Sequence, residues 1–401
     1  MYDYAVIGCG IVGLSTAHAI KKKDPDAKIA VIDKEKRISA HQTGRNSGVI
    51  HSGVYYKPGS LKARMAVQGR DSMVNFCREN DIPHDVCGKV LVATEKEELP
   101  RMEALYERVQ KNGLSVTKIE REELKEIEPY VDGIAGLKVP TTGIVDYKQV
   151  SEKLKELLEA AGVDILLGQP VEDLHEKNDE AVIDLPGESI RARYVVNCAG
   201  LFSDRIVKMT GIHSDLRIVP FRGEYFELKE EKSHLVKGLI YPIPNPDFPF
   251  LGVHLTKTMD GGVHAGPNAV LSFKREGYRK TDFDWRDTRD ILSFPGFWKM
   301  AGANMKEGAK EMVRSFHRKS FVKSLQRLVP SIEPEDVLPS EAGVRAQAML
   351  KNGKLVDDFY IISGKRTVHI CNAPSPAATA ALEIGKEIAD RLPERSYSIA
   401  R

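Results

Sequence analysis

One short run constrains this chain more than anything else in it. Gly8-Cys9-Gly10-Ile11-Val12-Gly13 follows an apolar strand at residues 4–7 and opens a helix over residues 11–22. In a G-x-G-x-x-G turn each glycine has its own reason. Gly8 allows the tight turn, Gly10 lets a pyrophosphate touch the backbone, and Gly13 lets the helix lie close to the strand. The first N–H groups of the helix, from Ile11 and Val12 onward, then face an anion. A second strand at residues 29–32 ends in Asp33, 20 residues after Gly13, followed by Lys34. An acid at that point accepts hydrogen bonds from an adenosine ribose and repels a 2′-phosphate, which disfavours NADP. The unit therefore reads as a dinucleotide site on a Rossmann-like α/β fold.

Three further segments bear on which dinucleotide. His41-Gln42-Thr43-Gly44-Arg45-Asn46-Ser47-Gly48 follows Asp33 closely and is rich in glycine and small hydrogen-bonding residues. Val195-Val196-Asn197-Cys198-Ala199-Gly200 is an apolar strand that ends in small residues, as where backbone approaches a ligand. Asn372-Ala373-Pro374-Ser375-Pro376-Ala377-Ala378 precedes an apolar stretch and reads as the start of a helix running from about Pro376 to Arg391, with free N–H groups toward an electron-rich ring. Remote segments that return to one ligand suit FAD, which extends well beyond one βαβ unit.

Composition narrows the rest. Of 401 residues, 59 Lys and Arg face 57 Asp and Glu, a formal charge of +2, so there is no basic surplus for nucleic acid. The length suits two domains. The five cysteines are odd in number and widely spaced, which fits a reducing compartment rather than a disulfide or zinc framework. Tyr4 to Ile20 lacks charge but is interrupted by Gly8, Gly10, Gly13 and His18, so it is not a transmembrane span, and the expected address is cytoplasmic. Helices are predicted over 65–80, 100–111, 122–126 and 147–161, and strands over 163–167, 181–185, 194–197 and 359–363. Residues 220–266 read as β-rich with Pro-laden turns, and 282–327 as charged and mostly helical. The α/β part is thus interrupted twice.

The chain resembles the FAD-dependent oxidoreductases of the D-amino-acid oxidase and glycerol-3-phosphate dehydrogenase superfamily. More narrowly it is similar to the L-2-hydroxyglutarate oxidase/dehydrogenase family. The residues that carry the resemblance are HQTGRNSGVIHSGVYYKPGSLKA (41–63), residues 249–270 with 273–278, and NAPSPAATAA (372–381). Arg45 is a departure, since His is expected there, although a cation near the pyrophosphate still makes sense. The resemblance implies a Rossmann-like FAD domain (1–80, 145–215, 335–401) and a discontinuous α+β substrate domain on an antiparallel sheet (81–144, 216–334). It places Ala199 and Gly200 near the adenosine, Val171 near the adenine, Asn46 and Ser47 at mid-cofactor, and Gly343 to Arg345 with 372–378 beside the isoalloxazine. The implied reaction is oxidation of L-2-hydroxyglutarate to 2-oxoglutarate by hydride transfer from C2 to flavin N5. A relative acting on an amino acid or glycerol 3-phosphate, and a non-catalytic flavin-binding subunit, are the alternatives.

Such a reaction needs a base for the hydroxyl proton and cations for the carboxylates. His51 and His254 are the candidate bases, and His264 is a further candidate for substrate contact. His51 is alternatively a ligand to the flavin ring, and a covalent flavin link through His51 or Cys371 is open. Arg345 in Gly-Val-Arg-Ala-Gln and Arg222 in Pro-Phe-Arg-Gly stand alone among apolar residues and are the carboxylate candidates, with an internal ion pair as the other reading of Arg222. Tyr55, Tyr56, Lys57 and Tyr241 are placed near the distal carboxylate, or else in packing. Phe294-Pro295-Gly296-Phe297-Trp298 and the basic run 306–327 are read as a buried loop and a solvated helix, with Val313, Phe316, Leu325 and Leu328 facing the core. The alternative is a membrane-touching or quinone-docking surface. Electrons then pass to oxygen or a membrane quinone.

Overall fold

The computed structural model describes residues 1–245, 252–303 and 318–393. Pro246, Pro249 and the 248–251 part of the sequence motif, the basic run up to residue 317, His317, Val313 and Phe316 lie outside the described residues.

Two eight-stranded sheets organise the chain. The first has five parallel strands at its centre: Asp164–Leu167, Ile29–Asp33, Tyr2–Ile7, Glu188–Asn197 and Thr367–Asn372. The central strands Tyr2–Ile7, Ile29–Asp33 and Thr367–Asn372 are short, largely apolar runs buried on both faces, as expected of parallel strands. Their carboxyl ends, at Ile7, Asp33, Leu167, Asn197 and Asn372, meet along one edge. Glu188–Asn197 is longer than the four residues expected from sequence. Its first half pairs antiparallel with Ala181–Leu185 and its second half parallel with Thr367–Asn372. One sheet face packs under the helices Ile11–Lys23, Tyr147–Ala160 and Ala381–Arg391. Tyr147–Ala160 contributes Val150, Leu154 and Leu158, a stripe of period 3.6. On the other face Ala5, Ala30, Ile183 and Val195 meet Ile206 of the helix Ser203–Met209.

The second sheet runs in the order Val337–Pro339, Phe226–Leu228, Val263–Gly266, His254–Lys257, Leu239–Pro242, Lys89–Ala93, Ala135–Val139 and Thr117–Glu120. It is antiparallel except where Leu239–Pro242 lies parallel to Lys89–Ala93, with Tyr241 opposite Leu91. That one pairing departs from a wholly antiparallel expectation, because residues 89–93 and 239–242 come from different excursions of the chain. Alternation divides its residues cleanly. Val90, Val92, Ile240 and Leu255 form one core with Phe321, Val322 and Leu325 of the helix Arg318–Gln326. Leu91, Ala93 and Tyr241 face the other way, toward Met102, Leu105 and Val109 of the helix Leu99–Lys111.

Between the sheets runs a ribbon, Leu216–Gly223 paired with Gly343–Leu350 in unbroken register. Phe221 stands opposite Arg345, and Arg222 opposite Val344. Arg222 and Arg345 therefore project from opposite faces of the ribbon.

The last helix begins at Ala381, five residues later than expected. Residues 374–380 are instead turns closed by Ala377 N–H to the Pro374 carbonyl (2.9 Å) and Ala380 N–H to the Pro376 carbonyl (2.9 Å).

Helices Ile11–Lys23 and Ala381–Arg391 touch backbone to backbone at Gly385, where a Cβ would stand 2.4 Å from the Ser15 carbonyl oxygen. Gly385→Ala is expected to destabilise the fold by about 1–3 kcal/mol through overpacking. Gly211→Ala, which meets open space, costs only its left-handed backbone strain. Urea midpoints of the two variants test the difference.

Candidate active site

A cavity of about 1860 Å³ opens along the carboxyl edge of the parallel strands and runs to the second sheet. Gly8, Gly10, Ile11, Val12, Asp33, Lys34, Thr43, Arg45, Asn46, Ser47, Val171, Ala199, Gly200, Gly343 and residues 372–378 all line it. His51, His254, Arg345, Tyr55 and Tyr241 line its far part.

The residues fit a dinucleotide. A Cβ on Gly8 would lie 2.5 Å from the Cys198 carbonyl oxygen, and one on Gly13 would lie 1.9 Å from that of Gly8. Gly10 has only Thr43 Oγ1 within reach, at 3.2 Å, so its open side faces the cavity. No side chain of the N-cap residue, Gly10, closes the first helix. The Thr43 hydroxyl accepts from Ile11 N–H at 3.0 Å and so joins loop to helix. One Asp33 oxygen accepts from Cys9 N–H (2.6 Å) and the other from Glu35 N–H (2.9 Å), which aims the carboxylate along the cavity. Each oxygen keeps a lone pair for a ribose hydroxyl.

Several expected contacts are spent inside the protein. Gly13 and Gly48 do not line the cavity. Gly48 has φ +68° and its N–H donates to the Asn46 side-chain oxygen at 2.8 Å, so its role is the turn. The Asn46 amide donates to the Gln42 and Thr43 carbonyls. Asn372 staples its strand to the carbonyls of Val356 (3.0 Å) and Asp358 (2.8 Å). The Lys34 ammonium is 2.5 Å from both Glu35 and Glu276. Arg45 pairs with Glu341 at 3.0 Å and lies over the Tyr278 ring at 4.1 Å.

Two expected substrate contacts lie elsewhere. Arg222 is buried and bonded to Glu224 (3.0 Å) and the Arg279 carbonyl (2.9 Å), on the ribbon face away from Arg345. The internal ion pair is the reading the structure supports. His264 shares a sheet face with His254 but lies directly opposite Glu227, whose carboxylate bonds its Nε2 at 2.8 Å. It does not line the cavity.

Two histidines line the far part of the cavity. His51 is anchored by its own N–H to the Thr379 hydroxyl at 3.0 Å. The His254 ring stacks on Tyr241 at 4.0 Å between centroids and 19° between planes. Its Nδ1 lies 3.0 Å from the Gly252 carbonyl oxygen. A carbonyl only accepts, so Nδ1 carries the proton and Nε2 of the neutral ring keeps its lone pair. Burial lowers the His254 pKa to about 4, with Arg345 and Lys89 adding to it against the Gly252 bond. His51 is lowered to about 3, again first by burial and then by Lys89, His254, Arg345 and Lys62. Both rings are therefore neutral at neutral pH.

Three features were not drawn from the sequence. His41 meets Tyr278 (2.5 Å), Glu35 (3.1 Å) and Glu276 (2.9 Å), closing the cavity near Asp33. Its place within the motif 41–63 was the available signal. His369, fully buried, bonds Asn197 and Thr367 and is structural. Lys89 is buried beside Tyr55 and Tyr241. A lysine opening the apolar run Lys-Val-Leu-Val-Ala was its signal.

A glycine-turn dinucleotide cradle that opens toward two neutral histidines and Arg345 defines a flavin oxidoreductase. Residues 3–391 match the DAO family of FAD dependent oxidoreductases. The chain is 48% identical over 391 residues to the L-2-hydroxyglutarate dehydrogenase of Indibacter alkaliphilus, covering 97% of this chain and 98% of that protein. It is 45% identical over 412 residues to the mitochondrial L-2-hydroxyglutarate dehydrogenase of Homo sapiens, covering 98% and 89%. Its fold matches the FAD-bound L-alpha-glycerophosphate oxidase of Mycoplasma pneumoniae with a TM-score of 0.79 at 21% identity, over 96% and 93% of the two chains. The chain belongs to the FAD dependent oxidoreductase family, and FAD is its cofactor.

Thr43→Val removes the acceptor for Ile11 N–H and is expected to cost about 1 kcal/mol. The variant should release FAD at lower urea than the parent, read as the rise of free-flavin fluorescence. Equal release curves would assign Thr43 no part in forming the cradle.

Proposed function

We propose that this enzyme oxidises L-2-hydroxyglutarate to 2-oxoglutarate, with His254 as the base and Arg345 holding the carboxylate beside the reacting carbon. The observation that carries the reading is the fixed tautomer of His254, whose unprotonated Nε2 is on the same cavity as Arg345. The relatives at 45–48% identity over nearly full length are named for this substrate. FAD, once bound along the sheet edge, supplies the acceptor for the hydrogen and electron pair that leave C2. The chain's own groups do the rest. Arg345 presents a planar fork to the C1 carboxylate, which fixes the C2 hydrogen in one direction. His254 Nε2 takes the hydroxyl proton as the carbonyl forms. The Gly252 carbonyl then stabilises the charged ring through Nδ1–H, and the ring has a stacked tyrosine to keep its plane. Residues 1–80, 145–215 and 335–401 mainly hold cofactor and 81–144 with 216–334 close over substrate, with Arg345 turned to substrate and Val337–Pro339 paired into the second sheet.

For the electron acceptor, the reading is a membrane quinone met at a peripheral contact. No helix among the described residues is long and apolar enough to cross a membrane. Phe294 and Phe297 pack inward on Val219, Phe221 and Met349. Trp298, Phe283 and Trp285, by contrast, are 59%, 58% and 69% exposed, around a helix, Trp285–Leu292, whose Arg286 and Arg289 line the cavity. Aromatic side chains beside cations at a cavity mouth suit an anionic lipid interface. Trp285→Ser with Trp298→Ser should abolish co-sedimentation with anionic vesicles and slow quinone reduction, with flavin reduction by substrate unchanged. Parent protein that stays in the supernatant would end this reading and leave oxygen or a soluble carrier.

Anaerobic addition of L-2-hydroxyglutarate should bleach the flavin bands, and the D isomer should not. Bleaching by an amino acid or glycerol 3-phosphate instead would reassign the substrate, and no bleaching by any of them would favour a non-catalytic subunit. His254→Asn should lower kcat by about 10²–10⁴-fold. Because the base must be neutral, kcat/KM of the parent should rise with pH through about 4. An acid limb at that position that persists in His254→Asn would move the role to His51.

A further inference from the structure

Lys89 stands just behind the cavity wall, the reaction above leaves it unused, and its surroundings are unusual. The residue is 4% exposed. Lysine is almost never buried that far without a paired acid. Yet no carboxylate among the described residues forms an ion pair with it; its ammonium instead lies over two aromatic rings, 4.6 Å from the Tyr55 centroid and 5.0 Å from that of Tyr241. Both tyrosines line the cavity. The parallel pairing of Leu239–Pro242 with Lys89–Ala93 brings this about, since Tyr241 stands opposite Leu91 and Lys89 shares the face of Leu91 two residues away. The Tyr55 hydroxyl is buried and bonded to no described group. The Lys89 charge is felt at both His51 and His254. With nothing to offset burial, its pKa falls to about 7, so the ammonium form is held poorly until an anion arrives.

Other cations nearby are otherwise engaged. Lys62 pairs with Asp357 at 3.0 Å, and Lys57 is exposed. Arg345 is taken by the carboxylate next to the reacting carbon. A dicarboxylate brings a second negative group, a few bonds from the first, against a wall of two tyrosines, with an uncompensated ammonium and an unbonded hydroxyl buried behind it; Lys89 itself does not line the cavity. We infer that Lys89, with the Tyr55 hydroxyl, is the specificity-determining site for the distal carboxylate of the substrate, selecting a five-carbon diacid over its monocarboxylate analogues. This rests on the substrate reading given above. Lys89 acts on binding, not on the bond that breaks at C2.

The test compares L-2-hydroxyglutarate with its C5 amide, L-2-hydroxyglutaramate, which has the same shape without the distal charge. The parent should favour the diacid at least tenfold in kcat/KM of flavin reduction. Lys89→Met should lose about 30-fold or more on the diacid, mainly in KM, and change little on the amide. Glutarate and its monoamide, which carry no C2 hydroxyl, give a second readout through perturbation of the flavin bands. Lys89→Met should bind the two alike, where the parent prefers glutarate. Lys89→Gln repeats the comparison if the methionine variant does not retain FAD. A parent indifferent to the amide, or variants that lose both substrates equally, would overturn the assignment to Lys89 while the reaction stands. A parent whose flavin is not bleached by L-2-hydroxyglutarate overturns the substrate reading, and the Lys89 assignment with it.

Discussion

Between the Cys198 carbonyl and the backbone of Gly8 there is no room for a methyl group, and between Gly8 and Gly13 there is less still. This contact locks the end of the strand Glu188–Asn197 against the turn after Tyr2–Ile7, and both against the first turn of the helix Ile11–Lys23. Asp33 reaches across from the next strand to hold Cys9 N–H, and Thr43 reaches back to hold Ile11 N–H. Five segments thus share one backbone cluster, and the cavity exists because side chains are absent from it. A Cβ at either glycine would push the helix off the sheet or the strand ends apart, and the edge on which a cofactor lies would lose its shape.

Opposite that edge the protein applies a different principle. The formal charge of the whole chain is only +2, but the far wall gathers Arg345, Lys62 and Lys89 around two histidines. Like charges and burial both discourage protonation of the rings. One set of cations therefore has two effects: it keeps both rings neutral and it leaves a positive field on that side of the cavity. Arg222 shows the contrast. On the other face of the same ribbon, with Glu224 beside it, an arginine of similar sequence context becomes a structural group.

Much of the cofactor half could be read from sequence because its determinants are local. Glycine spacing, an acid at a strand end and the period of Tyr147–Ala160 each need only a few neighbours in the chain. The substrate wall is not local. Lys89 acquires meaning only through Tyr55 and Tyr241, which arrive from separate excursions, and alternation alone could not say which sheet face would line a cavity. Arg222 and Arg345 looked equivalent until the register of their ribbon set them on opposite sides. His264 lost its role to Glu227, a partner 37 residues away. The start of the last helix was misplaced because two prolines read as a helix opening in fact build a turn.

The order of strands in the first sheet also sets a schedule. Tyr2–Ile7 carries the glycine turn at the very start of the chain, but its neighbour Glu188–Asn197 comes nearly 200 residues later and Thr367–Asn372 close to the end. At roughly 5–20 residues per second of synthesis, the turn leaves the ribosome something like 20–70 s before the strand that closes the sheet beside it. For that interval the parallel edge is incomplete and the segment 372–378 that borders the cavity does not yet exist. The complete cavity is consequently a property of the finished chain, since the residues that close it are among the last to be made.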